Sequence, residues 1–356
     1  MMALRILYGG SGRYDSDATH AFNHGSPPGM RHRLLTALVA AALLLSGCTT
    51  HLIPPGPSVA PPRETADAFV MPDGTRLPYR VWLPDGKPWA VVLAFHGMND
   101  SRDAWEYPAP ELAAEGVAVF APDQRGFGAT EGRGYWPGTE ALVADARDMA
   151  LLLHQRYPHT KLFLMGESMG AAVLMCLATA PDPPPVAGYV LISPAVWGRA
   201  EMNVFLRVGL WLFANLIPGF TATGQLAHVT ASDNREAIRR LSTDPLTIHK
   251  TRFDTVRGLV NLMDAALAAA PEFGARALFM YGGKDELIPK KATVATWKPL
   301  PPGPVLAYYP DDYHLMLRDH ERQAPIDDIL AWMRRPDDPL PSGADRAAQA
   351  WLAKQD

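Results

Sequence analysis

The sequence predicts an α/β fold: a mostly parallel, doubly wound sheet with a helical cap inserted between two of its strands. Three observations predict it. Apolar runs such as Ala90 to Phe95, Leu162 to Met165 and Ala277 to Tyr281 alternate with helical segments, the pattern of a sheet covered by helices. The second run passes straight through Gly166-Glu167-Ser168-Met169-Gly170 into a helical segment, Ala171 to Ala178, with no linker between strand and helix. The third is an interval of 84 positions between Ser193, which ends one strand, and Ala277, which opens the next. An ordinary crossover needs far fewer residues.

From the amino terminus, Met1 to Gly29 fit no part of an export signal, and translation is expected to begin at Met30. Arg31-His32-Arg33 then precede thirteen apolar or small residues, Leu34 to Ser46, followed by Gly47-Cys48. This order of charged, apolar and small regions is that of a bacterial secretion signal, residues 30–47. Leu45-Ser46-Gly47-Cys48 resembles a lipobox, whose cysteine is diacylated and becomes the new amino terminus. At about 0.8 kcal/mol per buried methylene, multiple acyl chains on Cys48 would hold the protein on a membrane. The expected location is the cell envelope, facing the periplasm. Thr49 stands where an aspartate would direct inner-membrane retention, which favours the outer membrane and leaves the inner one open. Thr50 to Pro62 is rich in proline and turn formers, and residues 48–65 are read as a tether.

The α/β body is assigned to residues 66–194 and 272–335, the cap to 195–271 and a polar tail, loose or a surface helix, to 336–356. Strand Ala90 to Phe95 ends in the glycine-containing loop His96-Gly97-Met98-Asn99. In the helix from Thr139 to Tyr157, Leu142, Ala146, Met149, Leu153 and Tyr157 recur at steps of three or four, so one stripe faces the sheet.

Gly166 to Gly170 is a G-x-S-x-G nucleophile elbow, in which small residues flank a strained turning residue and expose the Ser168 hydroxyl. A hydroxyl at its ordinary pKa is a poor nucleophile, so a base and an orienting acid must follow. Two later strand ends supply them. Ala277 to Tyr281 runs into Gly282-Gly283-Lys284-Asp285, and Val305 to Tyr309 runs into Pro310-Asp311-Asp312-Tyr313-His314. His314 is the candidate base and Asp285 the candidate acid, with Glu286, Asp311 and Asp312 nearby as competitors. The N–H groups of Met98 and of Met169, the residue after the nucleophile, are the candidate oxyanion donors. His96 precedes the serine and is read as bracing its loop, whereas His154, His159, His249 and His320 are read as solvated.

The front of the cap, Val204 to Ile217, is broken only by Arg207 and Asn215. It is short for a membrane span of about 20 residues. It is expected either as a buried cap helix or as a lid that lines an acyl tunnel or touches a bilayer, with Phe205, Trp211 and Phe213 as candidate substrate contacts. Composition excludes other classes. The balance of 33 basic against 37 acidic residues carries no nucleic-acid footprint. With Cys48 acylated, Cys176 is left alone, so no disulfide is expected, and no Cys and His cluster points to a metal. No cofactor is expected.

The segments His96-Gly97-Met98, Asp123-Gln124-Arg125-Gly126-Phe127-Gly128, Gly166 to Gly170, Gly283-Lys284-Asp285 with Pro289, and Tyr313-His314-Leu315 together resemble the α/β-hydrolase superfamily, in its monoacylglycerol lipase and lysophospholipase branch. The resemblance runs from about Leu77 to Arg335 and implies an α/β-hydrolase fold with a Ser168, Asp285, His314 triad and an oxyanion hole at Met98 and Met169. Asp123 to Gly128 would be a structural loop. One departure is Glu167, where this branch often carries histidine. The expected activity is hydrolysis of single-chain lipid esters through an acyl-enzyme. Alternatives are an aminopeptidase, which needs a cap carboxylate such as Glu201, Asp244 or Asp254 to hold the substrate ammonium, an acyltransferase, or a non-catalytic envelope binding protein.

Overall fold

The computed structural model describes residues 52–223 and 229–355. The export signal, the lipobox and Cys48 lie outside them. In chain order the strands are β1 (Arg63–Glu64), β2 (Ala68–Val70), β3 (Arg76–Trp82), β4 (Ala90–Phe95), β5 (Val117–Pro122), β6 (Lys161–Glu167), β7 (Gly188–Ile192), β8 (Thr221–Ala222), β9 (Thr251–Arg252), β10 (Ala277–Gly282) and β11 (Val305–Tyr309). The helices are α1 (Pro108–Ala114), α2 (Thr139–Arg156), α3 (Met169–Ala178), α4 (Val204–Leu216), α5 (Arg235–Thr243), α6 (Phe253–Ala269), α7 (Lys290–Trp297), α8 (Gln323–Arg334) and α9 (Ala344–Leu352).

The sheet order is β1-β2-β3-β5-β4-β6-β7-β10-β11. From β5 to β11 every pairing is parallel, and β1, β2 and β3 add an antiparallel edge. Strands buried on both faces need continuous apolar sequence. Accordingly β4, β5, β7 and β10 are buried along their whole length. The sheet separates two apolar layers. One holds Leu142, Ala146, Met149 and Leu153, the stripe expected on α2, together with the inner face of α3. The other gathers α1 and α8 around Trp105 and Trp332.

One terminal segment differs from expectation and the other takes the helical alternative. The proline-rich stretch is not free along its length: Ile53 donates to the Trp136 carbonyl (3.1 Å), Gly56 to Asp73 (3.1 Å) and Val59 to the Pro72 carbonyl (2.8 Å). Arg63 and Glu64 then pair with β2. Proline lacks a donor, but the residues between the prolines still have theirs, and the body supplies acceptors. The carboxyl-terminal stretch is a packed helix. Ala344, Ala348 and Trp351 of α9 are buried, and the Trp351 ring stacks on Tyr308 with centroids 4.8 Å apart. One apolar stripe among polar residues is enough to dock a helix.

The Asp123 to Gly128 loop is structural, as its glycines and arginine imply. Arg125 is buried between Asp145 (2.8 Å) and Asp73 (2.7 Å), and Asp123 accepts from the backbone N–H of Arg102 (2.7 Å) and Ala129 (2.8 Å). The cap contains α4, β8, α5, β9 and α6. Its last helix reaches back onto the body, with Gly258 set so close to Trp136 that a Cβ there would lie 2.3 Å from the ring. The buried-helix expectation fails for α4. Only Ala214 is buried, while Phe205 is 85% exposed and Val208, Trp211 and Leu216 are each at least half exposed.

Candidate active site

Ser168 stands between β6 and α3, as the residue that caps the helix, with φ 54° and ψ −111°, a backbone state costly for a residue with a side chain. The surroundings enforce it. A Cβ at Gly166 would lie 2.5 Å from the Ala171 nitrogen, and one at Gly170 would lie 2.2 Å from the Phe95 carbonyl oxygen. Only glycine lets β6, α3 and β4 approach this closely. The Ser168 N–H is held by the Ile192 carbonyl (2.9 Å), and its own carbonyl accepts from Ala172 and Ala195.

His314 and Ser168 line the same cavity of about 180 Å³, although 146 positions separate them in sequence. His314 Nδ1 lies 2.7 Å from Asp285 Oδ2, and both side chains are buried. The other carboxylate oxygen of Asp285 accepts from the Leu287 N–H (2.8 Å) and the Ile288 N–H (2.9 Å). With Nδ1 engaged, Nε2 is the ring nitrogen left for Ser168. Burial alone would push the His314 pKa down; the Asp285 carboxylate, with its hydrogen bond, outweighs burial, and the net shift is upward from 6.5. Two of the competing acids are otherwise occupied: Asp311 is exposed and pairs with Lys284 (3.0 Å), and Glu286 accepts from the Thr230 N–H (2.7 Å). The third, Asp312, is pushed up to about 7 by desolvation, which ill suits a carboxylate that must stay ionised beside a histidine.

Gly97 and Met98 line the cavity too, with the Cβ position of Gly97 3.4 Å from the Ser168 Cβ. Met169 is the first residue of α3, where an N–H has no acceptor within the helix. Both expected donors therefore stand next to the serine. His96 is buried behind them: Nδ1 donates to the Gly97 carbonyl (2.7 Å) and Nε2 accepts from the Gln124 N–H (3.0 Å), so both ring nitrogens serve the loop. Burial lowers its pKa, which keeps that ring neutral. His159, His249 and His320 are exposed and His154 is half-buried. Cys176, half-buried, is pushed up to about 12 by desolvation and is not a reactive thiol.

The cap closes the site through specific bonds. The Ile248 N–H donates to the Asn99 carbonyl (2.8 Å), the Leu315 N–H to the Ala231 carbonyl (2.9 Å), and Asn99 Nδ2 to Thr251 Oγ1 (2.7 Å). A second cavity of about 800 Å³ lies within the cap and shares Asn99, Ala231, Leu241 and Thr247 with the first. Val229, Ile238 and Ile248 add apolar lining, Arg235, His249 and Lys250 add basic groups, and no carboxylate borders it among the described residues. Glu201, Asp244 and Asp254, the cap carboxylates an aminopeptidase reading requires, line neither cavity. Asp254 is buried against Arg252 (2.6 Å) and Glu201 faces Lys291 (3.6 Å).

Phe205, Trp211 and Phe213, expected as substrate contacts, border neither cavity. Phe213 stacks on Phe253 with centroids 4.9 Å apart, and the other two rings face solvent. A helix apolar on all sides carries no periodicity to say which side packs. One feature had no sequence signal at all. Arg318, 4% exposed, donates to Asp100 and stands 3.6 Å from Glu167 Oε2, the residue before the nucleophile.

A family model described as serine aminopeptidase, S33, matches residues 86–321. The chain belongs to this family. Its matched span takes in the strained serine of this S33 hydrolase, the Asp285–His314 pair and the whole cap. The S33 chain is 27% identical to a monoacylglycerol lipase of Mycolicibacterium smegmatis over 75% of its own length and 95% of that protein's. It is 29% identical to the human monoglyceride lipase over 65% of this chain and 76% of that one. Among solved structures it resembles a soluble variant of the Saccharomyces cerevisiae monoglyceride lipase in complex with a substrate analog, with a TM-score of 0.64 and 18% identity over 78% of this chain and 98% of that one. It also resembles the Paleococcus ferrophilus monoacylglycerol lipase, with a TM-score of 0.57 and 21% identity over 79% and 99%. At these identities the structural likenesses establish the α/β-hydrolase fold of this S33 member.

Proposed function

We propose that this S33 hydrolase cleaves single-chain lipid esters, such as monoacylglycerols or lysophospholipids, through an acyl-enzyme intermediate. The observation that carries the reading is the cap cavity of about 800 Å³, which adjoins the serine's own cavity, has a largely apolar lining and, among the described residues, is bordered by no carboxylate. Such a space suits an acyl chain; Arg235 and Lys250 on its border would repel a substrate ammonium, and the carboxylates of the serine's cavity, Asp100 and Glu167, already face Arg318, so the site disfavours an aminopeptidase despite the family's descriptive name. The named lipases among the relatives support the same choice.

In this mechanism His314 Nε2 takes the Ser168 proton as Oγ attacks the ester carbonyl. Asp285 holds the Nδ1–H tautomer and stabilises the imidazolium, which then protonates the leaving alcohol. The N–H groups of Met98 and Met169 receive the oxyanion, each donor contributing a factor on the order of 10²–10³ in turnover. Water repeats the sequence to release the fatty acid.

The test is hydrolysis by the full-length protein in detergent micelles. At about 0.8 kcal/mol per buried methylene, lengthening the acyl chain from short to long is expected to raise kcat/KM at least about tenfold until the cavity is filled. Preference for aminoacyl amides would return the aminopeptidase reading, and turnover of no ester would favour an acyltransferase or a binding protein.

The second part of the proposal is a lipid anchor at Cys48 that keeps the enzyme on a periplasm-facing membrane, the outer one favoured. Its support is the lipobox-like Leu45-Ser46-Gly47-Cys48 together with α4, whose exposed Phe205, Val208, Trp211 and Leu216 offer a bilayer an apolar face. No helix among the described residues is long and apolar enough to cross a membrane. In a bacterial host, Cys48→Ser is expected to move the protein out of the membrane fraction and to abolish incorporation of labelled palmitate. Retention of label in that variant would exclude Cys48 as the acylated residue.

A further inference from the structure

Arg318 lies four residues past His314, on the short turn Met316–Arg318, with its side chain only 5% exposed. Its guanidinium donates to Asp100, two residues beyond Met98. It also faces Glu167 Oε2 at 3.6 Å, one residue before Ser168. Its backbone carbonyl accepts from Asn234 Nδ2 of the cap (2.9 Å). One buried cation thus touches all three segments that carry the oxyanion donor, the nucleophile and the base, and its main chain is tied to the lid above them.

Stability alone does not account for this cluster, because well-packed apolar side chains commonly replace a buried ion group at no cost in stability. What apolar contacts lack is directionality. A guanidinium nitrogen is a directional donor: Nη2 of Arg318 donates to Asp100, which fixes that loop in direction, and the same nitrogen faces Glu167 Oε2 at 3.6 Å, which holds the elbow by charge. We propose that Arg318 is a positioning residue that holds the Met98 loop, the elbow and the His314 loop in mutual register through Asp100 and Glu167. The inference rests on Ser168, His314 and Asp285 being the reacting groups. It also accounts for Glu167 in place of the histidine common in this branch: a carboxylate under the elbow is tolerated because Arg318 faces it. Desolvation lifts Glu167 to about 6 even with Arg318 opposing the shift, so the arginine also keeps this carboxylate ionised at neutral pH.

The experiment compares the full-length wild type with Arg318→Met, Arg318→Lys and the charge-free triple variant Asp100→Asn/Glu167→Gln/Arg318→Met, on a soluble ester below the melting temperature of each. Misplacement of reacting groups by about an ångström can cost on the order of 100-fold in rate. Arg318→Met is expected to lose kcat by that order, with KM held within about threefold. It should also melt lower, since two buried carboxylates lose their counter-charge. The triple variant should recover the melting temperature and leave kcat low. Arg318→Lys, a point charge without the planar guanidinium, should fall between Met and wild type in kcat. Recovery of kcat with melting temperature in the triple variant would make the cluster merely structural and overturn the proposal. So would wild-type kcat in folded Arg318→Met. Ser168→Ala, assayed alongside, separates the two levels: if it still turns over ester, the catalytic reading fails, and if it is dead while the Arg318 variants stay fully active, only this inference fails.

Discussion

Ser168→Ala is expected to lower kcat for ester hydrolysis by a factor on the order of 10⁶, with KM and the folded structure almost unchanged. The backbone at residue 168 is set at φ 54° by the closeness of Gly166 to Ala171 and of Gly170 to Phe95, not by the hydroxyl. Alanine therefore enters the same strained turn and removes one oxygen atom. The oxyanion donors and the cap cavity survive, so substrate still binds, and the residual rate over water comes from them. Single-turnover assays with a chromogenic ester, beside thermal melts, check both halves. A variant with unchanged melting and more than a few per cent of wild-type kcat would remove Ser168 as the nucleophile.

Asp285→Asn is the second large effect, with an expected loss in kcat on the order of 10⁴. Hydrogen-bond polarity is the cause. Asp285 Oδ1 accepts from the Leu287 and Ile288 N–H groups, so in the variant the amide oxygen keeps that place and the amide NH₂ turns toward His314. A donor there forces His314 Nδ1 to accept and moves the ring proton to Nε2, the atom that must take the Ser168 proton. The packing is preserved and the base is lost. The same pair sets the pH dependence. Protonated His314 cannot act as a base, so kcat/KM should fall as pH drops through its pKa, which stands above 6.5 in the wild type. Without the carboxylate the upward contribution goes, burial then prevails, and the acid limb of the residual activity should move to lower pH. A limb that stays in place would assign it to another group.

The reacting residues were legible because each sits in a short strand-then-turn segment whose conformation is local. An apolar run followed by Gly-Glu-Ser-Met-Gly has few alternatives, since glycine is demanded on both sides of the serine by contacts at 2.2 and 2.5 Å. Choosing Asp285 over Glu286, Asp311 and Asp312 rested on its position at the tip of the loop after β10, and the 2.7 Å bond to His314 agrees with that choice. Arg318 and Asp100 gave no such signal, and Glu167 stood out only as a departure from the histidine common before the serine. Nothing in the sequence joins the three until the fold brings together positions as much as 218 residues apart.

By itself the sequence determined what depends on local backbone states and on alternation of apolar residues: the parallel sheet, the elbow, the strand-end acid and base, and the presence of an inserted cap. Only the tertiary structure decided which surfaces those elements present to one another. It turned the rings of α4 outward, drew α9 onto Tyr308, pinned the proline-rich segment to Trp136 and buried Arg318 between two carboxylates. The physical reason is the same in each case. Burial and the pairing of charges depend on long-range contacts, and spacing along a chain carries no record of them.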